Sequence, residues 1–172
     1  EEFKPSTPYA ASKASADAYC YSYLKTFNLP ISVVRPFNVY GPRYTMDVTS
    51  LFASLALDNK EIRLEGGGKA TRDFTYVDDM IDAFLITGVH EKAVGEVINF
   101  GSGKDTSIRE LAEKIIKYTN SNSSMIETPE RPGQDLRLLC DNTKARQLFN
   151  WQPKTFIDEG LKKTIEWVKS VI

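Results

Sequence analysis

The chain has 172 residues, 41% of them hydrophobic and 26% charged, which is enough for one globular unit with its own core. A net charge of −1 gives nucleic acid or an anionic membrane no electrostatic reason to bind. Two cysteines and one histidine are too few for a disulfide framework, and they leave a metal site few soft ligands. No apolar run approaches the length of a membrane span. We therefore expect a protein of the reducing cytoplasm, with no metal, nucleic acid or membrane partner.

The first predicted element is a helix that runs from Pro8 to about Phe27. Thr7 is expected to cap this helix, and Pro8 fits its first turn. Tyr9 and Lys13 lie four residues apart on one helix face, where an ammonium favours the phenolate and the helix dipole favours an anion. The pair is therefore a candidate general acid or base.

The spacing by itself is weak, because the same helix carries a second copy of it. Tyr21 and Lys25 are also four residues apart, and the chain has 8 tyrosines among its 172 residues. What distinguishes Tyr9 is its setting at the start of the helix. We interpret Tyr21 and Lys25 as surface residues.

The rest of the chain alternates strand and helix patterns. Strands are predicted at 31–35, 62–64, 95–100, 125–127 and 136–140, and helices at 46–57, 77–89, 108–118, 142–149 and 156–170. Ser107 and Glu110 have the spacing of a capping box, and Thr155 and Asp158 suit a cap of the last helix.

Two glycine-rich segments fail the phosphate-binding patterns. The segment 101–106 has Thr106 where a dinucleotide fingerprint needs its third small residue, and it also lacks the first glycine of a phosphate loop. It is predicted to be a strand-to-helix turn. The run 66–68 also fails the phosphate-loop pattern and is predicted to be a flexible loop.

Four motifs carry a family resemblance. They are PYAASK at 8–13, RPFNVYGPR at 35–43, TRDFTYVDD at 71–79 and RPGQD at 131–135. In that order they resemble the extended short-chain dehydrogenase/reductase family and, within it, the nucleotide-sugar epimerases and dehydratases. The resemblance covers essentially all 172 residues.

The resemblance implies an α/β fold. The chain would hold the C-terminal part of a doubly wound, Rossmann-type sheet together with a smaller mixed α/β lobe that binds substrate. Residues 1–45 and 76–105 would be the remnant of the sheet with the catalytic helix, and residues 46–75 and 106–172 would mainly form the lobe. The strands at 31–35 and 95–100 would be the last two of the sheet.

The resemblance also implies that part of the enzyme is missing. Family members begin with a strand, a Gly-rich turn and a helix that hold the dinucleotide, and their catalytic Ser or Thr precedes the tyrosine. This chain begins at Glu1, eight residues before Tyr9. We therefore expect a C-terminal half, marginally stable alone or completed by an N-terminal half or another chain, and a homodimer when complete.

The family roles map onto eight residues of this chain. Tyr9 and Lys13 would be catalytic and would contact NAD, the implied cofactor, and Pro36 and Phe37 would lie at its nicotinamide end. The substrate, a nucleotide-diphosphate sugar, would be held by the remaining four, namely Asn38, Arg72, Arg131 and Asp135. A guanidinium fork suits a diphosphate because it binds phosphate oxygens in pairs.

The implied activity is a nucleotide-sugar 4-epimerase of the UDP-hexose class that oxidises sugar C4 transiently with NAD. A 4,6-dehydratase is the alternative, because the motifs occur in both groups and the residues that separate them would lie before Tyr9. A third hypothesis, of another class, is a non-catalytic module that binds nucleotide sugars.

Overall fold

The computed structural model describes residues 5–171, which form alternating helices and strands. The α-helices of this part are α1 (Pro8–Phe27), α2 (Val48–Leu57), α3 (Val77–Val89), α4 (Ile108–Thr119), α5 (Thr143–Phe149) and α6 (Ile157–Val171). The strands are β1 (Val33–Pro36), β2 (Val39–Tyr40), β3 (Ile62–Glu65), β4 (Thr71–Asp73), β5 (Thr75–Tyr76), β6 (Val97–Phe100), β7 (Asp105–Ser107), β8 (Met125–Thr128) and β9 (Arg137–Leu138). This architecture confirms the predicted α/β class.

Helix α1 starts as its sequence predicts. Thr7 Oγ1 accepts a hydrogen bond from the backbone N–H of Ala10 at 3.1 Å, and Pro8 occupies the first turn. Asn28 ends the helix in the left-handed conformation, with a φ of 52°. None of the 20 residues of α1 is buried, so capping and backbone hydrogen bonds define this helix more than packing does.

Strands β1 and β6 form a parallel pair with Val33 opposite Val97 and Pro36 opposite Phe100. Parallel strands need a long crossover, and α2 and α3 lie in the segment that connects these two. The carboxyl ends of β1 and β6 therefore meet at one edge of the sheet. This pairing agrees with the expectation that both strands belong to one sheet.

The remaining strands of the described chain form three separate small sheets. β2 pairs with β5 and β3 pairs with β8, both in parallel. Strand β4 lies between β7, which is antiparallel to it, and β9, which is parallel. β4 thus joins the turn that follows β6 to the segment that carries the RPGQD motif.

The buried side chains form two clusters. One cluster lies among α2, α4, α6 and the strands β3 and β5, and it includes Phe52, Leu64, Tyr76, Leu111 and Leu161. The other lies around α3, α5 and β6, and it includes Met80, Ile98, Phe100, Phe149 and Trp151. The apolar faces of α4 and α6 both contribute to the first cluster.

Three local predictions differ from the structure. The run 66–68 is a 3₁₀ turn in which Gly67 and Gly68 are buried, so it is a packed turn and not an open loop. The strand predicted at 136–140 has only the two residues of β9. Asp158 does not cap α6, because its carboxylate accepts hydrogen bonds from Lys114 and Tyr118 at 2.8 and 2.7 Å.

Candidate active site

The candidate base and its lysine lie in the first two turns of α1. Lys13 Nζ is 5.4 Å from the centroid of the Tyr9 ring, whose side chain is 71% exposed. The second copy has almost the same geometry, since Lys25 Nζ is 5.5 Å from the centroid of the Tyr21 ring. Spacing therefore produces the same local contact twice, and only the surroundings distinguish Tyr9.

A charged pair ties the helix that carries Tyr9 to the sheet. Arg35, in β1, donates from Nε to the Asp17 carboxylate of α1 at 2.8 Å and also pairs with it through a terminal nitrogen. The next residues, Pro36 and Phe37, end the strand, and the Phe37 N–H donates to the Phe100 carbonyl at 2.9 Å. The predicted cofactor contacts therefore lie at the carboxyl end of the parallel pair, where open α/β sheets bind ligands.

Asn38 follows at the same edge, and its backbone is fixed. Its carbonyl accepts a hydrogen bond from the Thr75 N–H at 3.1 Å, which joins the chain after β1 to the chain after β4. The residue itself is exposed. A fixed backbone with an exposed amide is suited to contact a bound ligand.

Arg72 projects from β4 toward the RPGQD segment. One terminal nitrogen donates to the Thr71 carbonyl at 2.7 Å and to the Asp135 carbonyl at 2.9 Å. Partial burial lowers the pKa of the guanidinium, nearby Asp135 raises it, and nearby Arg131 lowers it. The fold thus brings Arg72 next to Asp135, 63 residues away in the chain, and near Arg131. A joint site requires such proximity.

The RPGQD segment also reaches the start of α1. A Cβ placed on Gly133 would lie 3.7 Å from the Thr7 side chain, two residues before Tyr9. Arg131 is exposed, with its Nε 3.6 Å from the Glu65 carboxylate. The segment therefore links the tyrosine end of the site to the two arginines.

A cavity of about 340 Å³ adjoins this segment. Glu65, Lys69, Glu130 and Gln134 are among its polar lining residues. A larger cavity of about 630 Å³ is lined by Phe74, Lys104, Arg146 and Phe156, and none of the predicted site residues lines it.

Sequence reasoning singled out Arg72 but missed its neighbour Asp73. The Asp73 side chain is 0% exposed, and it accepts hydrogen bonds from Ser102, Gly103 and Cys140. The sequence feature that could have identified Asp73 as buried is its position as an acidic residue in a strand, directly before the aromatic Phe74. An acid at such a position is buried only when donors surround it.

The described part of the chain shows neither a metal-binding cluster nor a membrane-spanning helix. Residues 5–171 contain no group of three or more His, Cys, Asp and Glu side chains placed to hold a metal ion. Within that same range, every helix is too short or too polar to cross a bilayer.

The arrangement suits reversible acid–base chemistry on an anionic ligand. An exposed tyrosine stands beside an ammonium, one guanidinium belongs to the 131–135 loop that passes near the start of its helix, and a second, that of Arg72, donates a hydrogen bond to this loop. Guanidinium groups bind phosphate oxygens bidentately, and a tyrosine beside a cation can exchange a proton with a bound hydroxyl.

Comparisons with known proteins give matches over nearly the whole chain. A family model described as GDP-mannose 4,6 dehydratase matches residues 1–164. The human dTDP-D-glucose 4,6-dehydratase is 37% identical over 174 residues, covering 96% of this chain and 49% of the human protein. The UDP-glucose 4-epimerase of Mycolicibacterium smegmatis is 35% identical over 170 residues, covering 96% of this chain and 54% of that protein.

A solved structure extends the likeness to three dimensions. The UDP-glucuronic acid 4-epimerase from Bacillus cereus, in complex with UDP-glucuronic acid and NAD, matches with a TM-score of 0.93 at 30% identity. The match covers 98% of this chain and 55% of that one. The chain thus spans about half the length of the relatives it matches.

Proposed function

Because the chain belongs to the GDP-mannose 4,6 dehydratase family, within the extended short-chain dehydrogenases/reductases, we propose that it is the substrate-binding and catalytic half of a nucleotide-sugar 4-epimerase. The enzyme acts on UDP-hexoses by transient NAD-dependent oxidation at sugar C4. Its relatives include a dTDP-D-glucose 4,6-dehydratase and a UDP-glucose 4-epimerase, both of them enzymes named for nucleotide sugars.

One observation carries the proposal. The 131–135 loop passes close to Thr7 at the start of α1, since a Cβ built on Gly133 would lie 3.7 Å from the Thr7 side chain, and the loop also accepts a hydrogen bond from Arg72. A diphosphate held by Arg72 and Arg131 therefore places the attached sugar within the same site as Tyr9. Binding energy from the nucleotide end is then available to orient the sugar at the reacting end.

The residues of the chain have distinct roles in this proposal. Tyr9 takes the proton from the sugar 4-hydroxyl and returns it, and Lys13 favours the phenolate through its charge. Asn38 and Arg72 bind the diphosphate. Arg131 binds it from the loop, and Asp135 lies at the nucleoside ribose.

The described residues fit one end of NAD. Tyr9 and Lys13 are exposed on α1, and Pro36 is exposed at the end of β1, the strand that Arg35 joins to α1 through Asp17. These residues, with Phe37, would hold the nicotinamide ribose and ring. When bound, NAD supplies a reversible two-electron oxidation of the sugar C4 hydroxyl.

A 4,6-dehydratase is supported as well as the epimerase. The human relative at 37% identity is a dehydratase, and the M. smegmatis relative at 35% is an epimerase. Both activities begin with the same oxidation at C4. Product analysis separates them, since only the dehydratase loses water from the sugar.

We further propose that an N-terminal half, or another chain, completes the sheet beside β1. Within residues 5–171, β1 pairs only with β6. The two helices next to this pair expose apolar side chains, with Tyr19 and Phe27 of α1 at 68% and 63% exposed and Phe84 and Leu85 of α3 at 53% and 64%. A buried parallel sheet needs cover on both faces. The completed enzyme is proposed to be a homodimer.

This completion is tested on the 172-residue chain alone. Exposed apolar faces should bind a hydrophobic dye and give a broad thermal transition. Addition of the dinucleotide-binding half of a relative should suppress the dye signal and sharpen the melt. A monomer with a sharp two-state melt and no dye binding would contradict the proposal.

The activity is tested by Tyr9→Phe in the completed enzyme, with UDP-glucose and dTDP-glucose as substrates. Loss of the phenolic proton should lower turnover by about 100-fold or more, with nucleotide affinity nearly unchanged. Tyr21→Phe is the matched control, because Tyr21 has the same lysine contact.

The outcomes separate the three hypotheses. Formation of UDP-galactose supports the epimerase, and formation of a 4-keto-6-deoxy sugar supports the dehydratase. Nucleotide binding without either product, in an enzyme that binds NAD, would support a non-catalytic module. Equal turnover of Tyr9→Phe and the unaltered enzyme would remove Tyr9 from the mechanism.

A further inference from the structure

Asp73 is a fully buried carboxylate that no step of the proposed chemistry uses. It accepts hydrogen bonds from the Ser102 N–H at 2.7 Å, the Ser102 hydroxyl at 2.6 Å, the Gly103 N–H at 2.8 Å and the Cys140 N–H at 3.2 Å. Its side chain is 0% exposed. Donors therefore occupy both carboxylate oxygens, and a bound substrate has no access to them.

These donors come from two separate parts of the chain. Ser102 and Gly103 form the turn after β6, and Cys140 follows β9. A Cβ on the intervening Gly101 would lie 2.4 Å from the Cys140 Cβ, so the two segments touch directly. Asp73 thus joins the parallel pair β1–β6 to the end of the segment that carries the RPGQD loop.

That segment has little burial to hold it. Strand β9 has two residues, and its neighbours Leu136 and Leu139 are 61% and 37% exposed. Its attachments to β4 are polar. The Thr71 N–H donates to the Leu136 carbonyl at 2.8 Å, Arg72 donates to the Asp135 carbonyl, and Asp73 accepts from Cys140. The position of the loop therefore depends on hydrogen bonds from β4.

We propose that Asp73 is a positioning residue for the nucleotide-diphosphate site, because it fixes the register of β9 on β4 and so holds the RPGQD loop at Arg72. Arg72 and Asp73 are consecutive, and their side chains point to opposite faces of β4. Arg72 faces the ligand and Asp73 holds the segment that completes the site. The inference rests on the proposed function for the identity of the ligand.

The test compares two buried carboxylates in the completed enzyme, in which the dinucleotide-binding half of a relative is joined to the 172-residue chain. Asp73→Asn replaces an acceptor oxygen with an amide that faces N–H donors. Asp79→Asn is the matched control, because Asp79 is 4% exposed and accepts from the Lys154 and Thr155 N–H groups, away from β9. Hydrogen exchange of residues 131–140 and affinity for UDP are measured for both variants at temperatures where both are folded.

Asp73→Asn should speed exchange at Cys140 and through 131–138 by about tenfold or more, and should weaken UDP binding at least about fivefold. Asp79→Asn should leave both quantities near the unaltered values. If Asp73→Asn does not fold, Ser102→Ala removes one donor to Asp73 and should shift both readouts in the same direction by less. Equal effects of the Asp73 and Asp79 changes, or unchanged exchange in 131–140, would overturn the proposal. Failure of the unaltered completed enzyme to bind UDP would tell against the proposed ligand, and the exchange result would still decide the role of Asp73.

Discussion

Gly160 is predicted to be essential for the packing of α6 against the core. A Cβ at this position would lie 2.1 Å from Tyr40 Oη, 2.8 Å from Tyr40 Cζ and 2.9 Å from Tyr76 Cδ2, where ordinary contacts are 3.4–4 Å. Tyr40 is 1% exposed, and its ring meets the rings of Phe74 and Tyr76 edge to face at 6.1 and 5.7 Å. The ring therefore has no open space into which it can move.

The magnitude follows from two opposing effects. Overpacking a core costs about 1–3 kcal/mol, and the very short approach places this site near the upper end. Replacing a helical glycine with alanine returns about 1 kcal/mol. Gly160→Ala should therefore lower the free energy of unfolding by about 2 kcal/mol, which lowers the Tm by roughly 4–8 °C in a chain of this size.

Thermal and urea denaturation of two glycine variants and one double variant check this reasoning. Gly88→Ala in α3 is the control, because a Cβ there meets nothing within 4 Å, and it should stabilise the chain by about 0.5–1 kcal/mol. Adding Tyr40→Phe to Gly160→Ala removes the closest atom and should recover about 1 kcal/mol. Equal stability of Gly160→Ala and Gly88→Ala would refute the packing argument.

Two further predictions concern titratable groups. Hydrogen bonds from Lys114 and Tyr118 lower the pKa of Asp158 below its ordinary value of 3.8, so its contribution to stability is present above that pH and is lost as the pH falls through the folded pKa. Urea titrations should show Asp158→Asn less stable by about 0.5–1 kcal/mol at pH 7, with the difference shrinking below pH 3.8, and a constant difference would contradict the ion pair. Burial, assisted by nearby negative charge, raises the pKa of the Cys140 thiol to about 12. A thiol reagent at pH 8 should therefore not label Cys140 rapidly in the native chain, where Cys20 is the more exposed cysteine, and should label both cysteines in urea. Rapid labelling of both in the native state would contradict the burial of Cys140.

Much of the fold was predictable because local patterns agree with it. Thr7, Pro8 and the following turn define the start of α1 wherever this helix packs, and the observed range Pro8–Phe27 matches the prediction. Helix α4 likewise has the helical spacing of apolar residues in its sequence, and Leu111 and Ile115 on this apolar side are both fully buried. The order of the four motifs pointed to the family, which the match over residues 1–164 then showed.

The local sequence could not decide contacts between distant segments. Asp158 has the spacing of a capping residue, but its carboxylate accepts hydrogen bonds from Lys114 and Tyr118 of another helix. This ion pair forms in place of the predicted cap. The glycine run 66–68 reads as a loop because glycine is flexible, yet the backbone of Arg109 lies 2.9 Å from a Cβ on Gly68 and leaves room only for glycine.

The candidate site shows the same division. The spacing of Tyr9 and Lys13 at a helix start made them candidates for acid–base chemistry, and the family resemblance of the motif at 71–79 added Arg72 as a candidate for phosphate binding. The sequence also contains an equivalent pair at Tyr21 and Lys25, with the same local geometry. Only the tertiary structure decided that the 131–135 loop passes close to the start of α1 and that the buried carboxylate of Asp73 accepts a hydrogen bond from Cys140, behind that loop. Both contacts join residues that are more than 60 positions apart, and local propensity carries no information about such pairs.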